Sequence, residues 1–279
     1  MTTGKEQSGA GAADKCDHIR LVHVHKSFGS LIIFCDLCLT IKERECVVIL
    51  GPSGTGKSVL LKHIVGLLKP DTGEVYFRQE RVDTLDDLGL EPIRRRLGFL
   101  FQGGALFDSL SVFENIAFPM REHTTLKEAE VRDRVASKLA MVGLDGSQAK
   151  MPSELSGGMR KRVALARAIA LDPEVVLYDE PTTGLDPIRS DVINELILKL
   201  NDELHVTSVV VTHDMASAFK VADRLVMLND GKVILEGKAE DFRASKIDEV
   251  HRFVTGKASA GELEGLRRPA PPKSPSEES

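Results

Sequence analysis

The segment Gly51-Pro52-Ser53-Gly54-Thr55-Gly56-Lys57-Ser58 constrains this chain more than any other. It is preceded by the apolar run Cys46 to Leu50, which reads as a strand, and followed by a helix expected from about Ser58 to Leu68. The spacing is G-x-x-x-x-G-K-[ST] in its full form and in its proper strand-to-helix setting. The glycines let successive backbone amides turn inward, and the positive end of the helix dipole adds to the attraction for an anion. Such a loop cradles nucleotide phosphates. Lys57 can reach the β- and γ-phosphates, and the Ser58 hydroxyl can ligate Mg²⁺.

Two further stretches carry chemistry. Val175 to Tyr178 is an apolar strand ending in Asp179, a carboxylate placed to hold Mg²⁺, and Glu180 follows at once, placed to orient an attacking water. Taken alone, the same two acids could be a solvated strand end. Leu155-Ser156-Gly157-Gly158-Met159 opens a helix, where bare amides make a second anion site. An ordinary helix N-cap at Ser156 explains that motif equally well by itself.

The rest of the chain supplies a mixed α/β frame. Alternation over Arg20–Lys26 and Leu31–Ile41 predicts antiparallel strands, and Pro70-Asp71-Thr72-Gly73 is a turn before a strand over Glu74–Arg78. Leu97–Phe101 is another strand. Thr125-Leu126-Lys127-Glu128 has capping-box spacing, and Val131, Val135, Leu139 and Val142 then mark one buried helical face. The continuous apolar runs Val175–Tyr178 and Ser208–Thr212 are typical of a parallel sheet covered on both faces. A helix around Ser190–Leu204 lies between them. Asn229-Asp230-Gly231 between Leu225–Leu228 and Val233–Leu235 is a hairpin signal.

Composition excludes several classes. With a net charge of −5 the chain exerts no general pull on polyanions, so no nucleic-acid partner is expected. The basic cluster Arg160, Lys161, Arg162 and Arg167 is read as the solvated face of the helix after Ser156. No apolar run reaches the roughly 20 residues that span a bilayer, and the polar N-terminus lacks a signal-peptide core, so a cytoplasmic location is expected. Cys35-x-x-Cys38 is unaccompanied by a second C-x-x-C or an H-x-x-x-H pair, and Leu37, Leu39 and Ile41 alternate with Asp36, Cys38 and Thr40 through it. A half-buried strand is therefore preferred over a zinc or redox site. Residues 1–17 are expected to be a flexible segment, and the Pro- and Ser-rich residues 257–279 a disordered tail.

Together, these motifs resemble those of the ATP-binding cassette (ABC) ATPases over about His18 to Gly256. The resemblance implies an α/β fold: a P-loop NTPase (RecA-like) parallel-sheet core, an antiparallel β subdomain and an α-helical signature subdomain at about 103–168, within one ATPase domain at 18–256. It implies ATP and Mg²⁺ as ligands. Gln102 is then the Q-loop glutamine that senses Mg²⁺ and the attacking water, Ser156, Gly157 and Gly158 the signature loop, and Asp186, in Thr183-Gly184-Leu185-Asp186, part of the D-loop. His213 is the switch histidine, with a polar strand cap as its alternative reading. Phe28 stands where the family stacks an aromatic on adenine, and plain core is its alternative.

A narrower resemblance is to the MlaF-type group. It rests on Phe101-Gln102-Gly103-Gly104-Ala105-Leu106-Phe107 and onward to Val112, on Pro119 to Thr124, and on Met151 to Met159. Met159 stands where the wider family commonly has Gln. This resemblance implies an ATPase on the cytoplasmic face of the inner membrane that drives phospholipid transport as a head-to-tail homodimer. Its implied partners are an integral-membrane permease and an MCE-domain lipid-binding protein. The alternatives are an importer or exporter ATPase for another cargo, a soluble non-transport ABC ATPase, and a regulatory nucleotide-binding module without catalysis. Glu180 and His213 are both present, which ranks the last reading lowest.

Overall fold

The computed structural model describes residues 16–258 of the 279. Two long antiparallel strands open the chain, β1 (Asp17–Phe28) and β2 (Leu31–Lys42), followed by β3 (Cys46–Leu50), α1 (Lys57–Ile64), β4 (Thr72–Phe77), β5 (Glu80–Arg81), α2 (Asp87–Arg94) and β6 (Leu97–Leu100). Three helices come next: α3 (Val112–His123), α4 (Glu128–Met141) and α5 (Gly157–Ala168). The chain then returns to alternation with β7 (Val175–Asp179), α6 (Pro187–Leu204), β8 (Thr207–Val211), α7 (Met215–Val221), β9 (Arg224–Asn229) and β10 (Lys232–Gly237), and closes with α8 (Ala239–Arg243) and α9 (Asp248–Thr255).

The strands form two sheets. One is antiparallel in the order β2-β1-β4-β5; the other runs β10-β9-β3-β8-β7-β6, parallel except for the edge strand β10. Successive residues of a strand point to opposite faces, so each central strand serves two cores. Val47 and Ile49 of β3 join Leu177 of β7 and Val209 of β8 in a core shared with α1 and the antiparallel sheet. Val48, Leu50, Val176, Tyr178 and Val210 join the core built on α3 to α7. Burial on both faces is why these strands are apolar without interruption.

Several local expectations are met. On β2, Leu37, Leu39 and Ile41 are buried while Asp36, Cys38 and Thr40 are exposed. The Asn229-Asp230-Gly231 turn has positive φ at both Asp230 (47°) and Gly231 (74°), as a two-residue hairpin between twisted strands requires.

Others shift. Helix α1 stops at Ile64 rather than Leu68, because Gly66 takes a left-handed conformation and Leu67 N–H returns to the Lys62 carbonyl, closing the helix end. The capping box lies two residues later than its spacing suggested. Lys127 occupies the N-cap position, and its N–H donates to the Glu130 carboxylate at 2.9 Å, while the Thr124 hydroxyl serves Leu126 instead. The expected flexible segment 1–17 lies outside the described residues except for Cys16 and Asp17, and Asp17 already belongs to β1. The expected tail 257–279 lies outside them except for Lys257 and Ala258. Among the described residues, no helix is long and apolar enough to cross a membrane.

Candidate active site

Strands β3, β8 and β7 lie side by side and parallel, with Ile49 opposite Val211 and Val211 opposite Asp179. Their carboxyl ends therefore open at one edge of the sheet, where α/β proteins bind ligands. The phosphate loop leaves β3, Thr212 and His213 leave β8, and Asp179 and Glu180 end β7.

The loop conformation depends on its glycines. A Cβ on Gly51 would come within 2.4 Å of the Leu228 carbonyl oxygen, and one on Gly56 within 2.5 Å of the Ile33 side chain, so both positions exclude a larger residue. Lys57 is buried, and its ammonium donates to the Gly51 and Pro52 carbonyls at 2.8 and 2.9 Å, arching over the loop. Burial pulls its pKa below the usual lysine range, and the negative charges of Glu180 and Asp179 oppose that pull.

The Ser58 hydroxyl donates to Asp179 Oδ1 at 2.8 Å. Burial pushes the Asp179 carboxyl above its ordinary pKa, the Ser58 bond resists, and the neighbouring Glu180 pushes the same way as burial. Among the described residues Asp179 makes no ion pair. A hydroxyl and a buried carboxylate without an ion pair form the hard oxygen donor set that suits Mg²⁺.

Glu180 is held with unusual firmness. Its backbone is left-handed (φ 51°), a conformation that costs a non-glycine residue of order 1 kcal/mol or more. Its N–H donates to the Val211 carbonyl at 2.9 Å, and its own carbonyl accepts from Lys161 Nζ at 3.2 Å. The carboxylate accepts from the Thr183 hydroxyl at 3.0 Å and lies 2.9 Å from His213 Nδ1. His213 is thus no mere strand cap; it pairs directly with the acid at the next strand end.

The other expected residues sit around this centre. Phe28 is 47% exposed under the Lys26 ammonium, which excludes the plain-core reading. Gln102 follows β6 on the surface, where its carbonyl accepts from Lys161 Nζ. The Ser156 hydroxyl caps α5 through Met159 N–H at 3.3 Å, and Asp186 caps α6 through Arg189 N–H at 3.0 Å. These two side chains serve their own helices, and neither takes part in the Ser58–Asp179 or Glu180–His213 pairing.

The basic cluster on α5 corrects the sequence reading. Only Arg160 is solvated. Lys161 is 6% exposed and links the Gln102 and Glu180 carbonyls; Arg162 donates to the Val142 and Gly143 carbonyls; Arg167 donates to those of Gly104 and Ala105 at 2.8 Å. The signal was present, since Lys161 precedes Leu165 and Ile169 at intervals of four, on the buried stripe of the helix. Thr183, the hydroxyl donor to Glu180, carried no comparable signal.

Residues 34–183 match the profile of the ABC transporter family. The chain belongs to that family. This ABC chain is 47% identical over 230 residues to the intermembrane phospholipid transport system ATP-binding protein MlaF of Haemophilus influenzae, covering 82% of the chain and 87% of that relative. MlaF of Escherichia coli K12 is 42% identical over 251 residues, covering 90% of the chain and 91% of that protein. The probable ribonucleotide transport ATP-binding protein mkl of Mycobacterium tuberculosis H37Rv is 46% identical over 83% of the chain, which spans 65% of that longer relative. A dimeric ATP-binding cassette solved in a post-hydrolysis state with ADP and phosphate superposes with a TM-score of 0.73 at 40% identity, over 79% of this chain and 98% of that one. The ABC cassette described here is an ATPase, with the P-loop NTPase fold of its structural neighbours.

Proposed function

We propose that this ABC ATPase drives phospholipid transport between bacterial membranes, working as a head-to-tail homodimer on an integral-membrane permease at the cytoplasmic face of the inner membrane. An MCE-domain lipid-binding protein completes the assembly. The observation that carries the motor is the Ser58–Asp179 and Glu180–His213 pairing at adjacent strand ends. Identity to two proteins named for phospholipid transport supports the cargo.

In this reading Gly51 to Ser58 hold the ATP phosphates, and Phe28 stacks on the adenine. Glu180, fixed from four sides, orients the attacking water, and His213 steadies the γ-phosphate beside it. Ser58 and Asp179, with Gln102, would hold Mg²⁺, which when bound would supply neutralisation of the phosphate charge. Ser156, Gly157, Gly158 and Asp186 act on nucleotide held by the opposite copy, which accounts for the Ser156 and Asp186 side chains standing apart from the rest. A division into an ATPase domain at 18–256, with a helical subdomain at about 103–168, belongs to the same proposal.

A permease needs somewhere to dock. Phe99 stacks on Phe101 at 4.2 Å between ring centres, Phe107 lies 5.1 Å from Phe118, and Phe101, Phe107 and Phe118 each remain more than 40% exposed beside the Gln102 loop. An open aromatic groove of about 330 Å³ beside the loop that reports on nucleotide supports the membrane-partner reading over the soluble one. The mycobacterial relative, named for ribonucleotide transport, makes another cargo the second reading.

The deciding experiment is to extract the tagged chain from native membranes in mild detergent and identify what accompanies it. A permease, an MCE-domain protein and phospholipid are expected. A different permease and binding protein would overturn the cargo, and absence of any membrane partner would favour the soluble ATPase.

A further inference from the structure

The outer face of the β1–β2 pair carries side chains that the nucleotide site does not use. His23 and His25 on β1 face Asp36 and Cys38 on β2. His23 (φ 49°) and Asp36 (φ 64°) are both left-handed, and the ladder is irregular on either side of the Val24–Leu37 pair. His23 Nδ1 lies 2.7 Å from Asp36 Oδ1 and 3.6 Å from Cys38 Sγ, and His25 Nε2 lies 4.0 Å from the same Asp36 oxygen. One ligand atom each from His23, Asp36 and Cys38 fall within 4.8 Å of one another.

Those distances bracket a tetrahedral ion. Bonds of about 2.0 Å to nitrogen or oxygen and about 2.3 Å to sulfur place ligand atoms about 3.3–3.6 Å apart. The His23–Cys38 separation already fits. The His23–Asp36 contact has to open by about 0.6 Å, and His25, which lies outside the three-residue cluster, has to turn further inward to supply the fourth ligand. A His–Asp contact alone is commonplace on a surface; a thiol in the same cluster, with a second imidazole beside it, is not. His23 N–H also donates to Cys38 Sγ at 3.3 Å, which holds the sulfur against β1.

We infer that His23, His25, Asp36 and Cys38 form a surface site for a zinc-class divalent transition metal, separate from the Mg²⁺ position at the phosphate loop. Imidazole and thiolate select zinc and its neighbours over Mg²⁺ or Ca²⁺. Cys35 takes no part, so the C-x-x-C spacing is incidental, and the missing ligands come from the strand across the sheet. A bound ion pins β1 to β2 and stiffens the hairpin whose far end carries Phe28.

The test uses the full chain with Cys16→Ser and Cys35→Ser, leaving Cys38 as the accessible thiol, since Cys46 is buried. Titration with Co²⁺ in the absence of nucleotide is expected to give one equivalent of binding, with a thiolate-to-cobalt charge-transfer band that Zn²⁺ abolishes by displacement. Cys38→Ser should remove the band, and His25→Ala should weaken binding about ten- to a hundredfold. Should Cys38→Ser fail to fold, as judged by circular dichroism, alkylation of Cys38 in the folded protein makes the same test. The phosphate-loop pair contains no sulfur and cannot produce this band. Absence of the band, or its survival once Cys38 is removed, overturns the proposal.

Discussion

Strand β7 is preceded by one carboxylate, Glu174, and ends in another, Asp179, and the two are treated in opposite ways. Glu174, just before its first residue, is met by two guanidiniums and a buried imidazole: Arg96 Nε at 2.6 Å, Arg78 Nη2 at 2.7 Å and His18 Nε2 at 3.4 Å. Burial raises the Glu174 pKa, but the two guanidiniums overcome it and hold the acid near pH 2. Asp179, at the other end, has a hydroxyl and no cation paired to it, and burial pushes its pKa up. One end of the strand has cancelled its charge within the chain. The other leaves its carboxylate without a direct ion pair, at an energetic cost that a cation bound from outside would relieve.

That contrast predicts a sharp asymmetry in mutants. Glu180→Gln, at the uncancelled end, should reduce ATP hydrolysis by about a hundredfold or more while leaving ATP binding intact, as followed by phosphate release and by binding of a fluorescent nucleotide. Near-normal turnover would remove Glu180 from its role. The divided site gives the next largest effect. Lys57→Ala and Ser156→Arg chains should each be inactive alone, yet random pairing in a mixture should restore about a quarter of the wild-type rate, because half the dimers rebuild one intact site. No recovery on mixing would mean that the site is not shared between copies.

Lys161→Met tests the clamp behind Glu180. It should lower kcat about tenfold with little change in KM, because an interaction that orients the acid acts on turnover rather than on binding. An unchanged kcat would make Lys161 a stability residue only. The smallest effect belongs to the cancelled end. Since the folded Glu174 pKa lies below its ordinary 4.5, its ion pairs stabilise the fold above that pH and are lost as pH falls toward about 2. Glu174→Gln should therefore cost about 1 kcal/mol near neutrality, after allowance for solvent screening, and flatten the loss of stability between those two pH values in urea titrations. ATP turnover per folded chain should not change.

The sequence spoke clearly wherever one residue type answers one local demand. The phosphate loop, the acid at the end of β7, the apolar parallel strands and the Asn-Asp-Gly hairpin were all legible because backbone conformation or two-sided burial left few alternatives. Helices α2 and α3 were not assigned, and each contains a proline, Pro92 and Pro119, that masks its periodicity. The direct Glu180–His213 pairing could not be read, because the two are 33 residues apart and meet only once β7 and β8 lie side by side. The α5 cations were misread for a different reason. Charge suggested solvent, whereas position on the stripe decided burial, and the main-chain carbonyls that satisfy them lie elsewhere in the chain.

Lys161 and Arg167 both reach from α5 to the segment at 102–105, and they stand six residues apart, about 9 Å along the helix axis. A single attachment would let that segment swivel; two attachments on a rigid rod do not. The 102–105 segment and the Ser156–Gly158 end of α5 therefore move as one lever. Contacts made at the aromatic groove beside Phe107 and contacts made at Gly158 thus fall on one braced unit, which Lys161 also fastens to the Glu180 carbonyl.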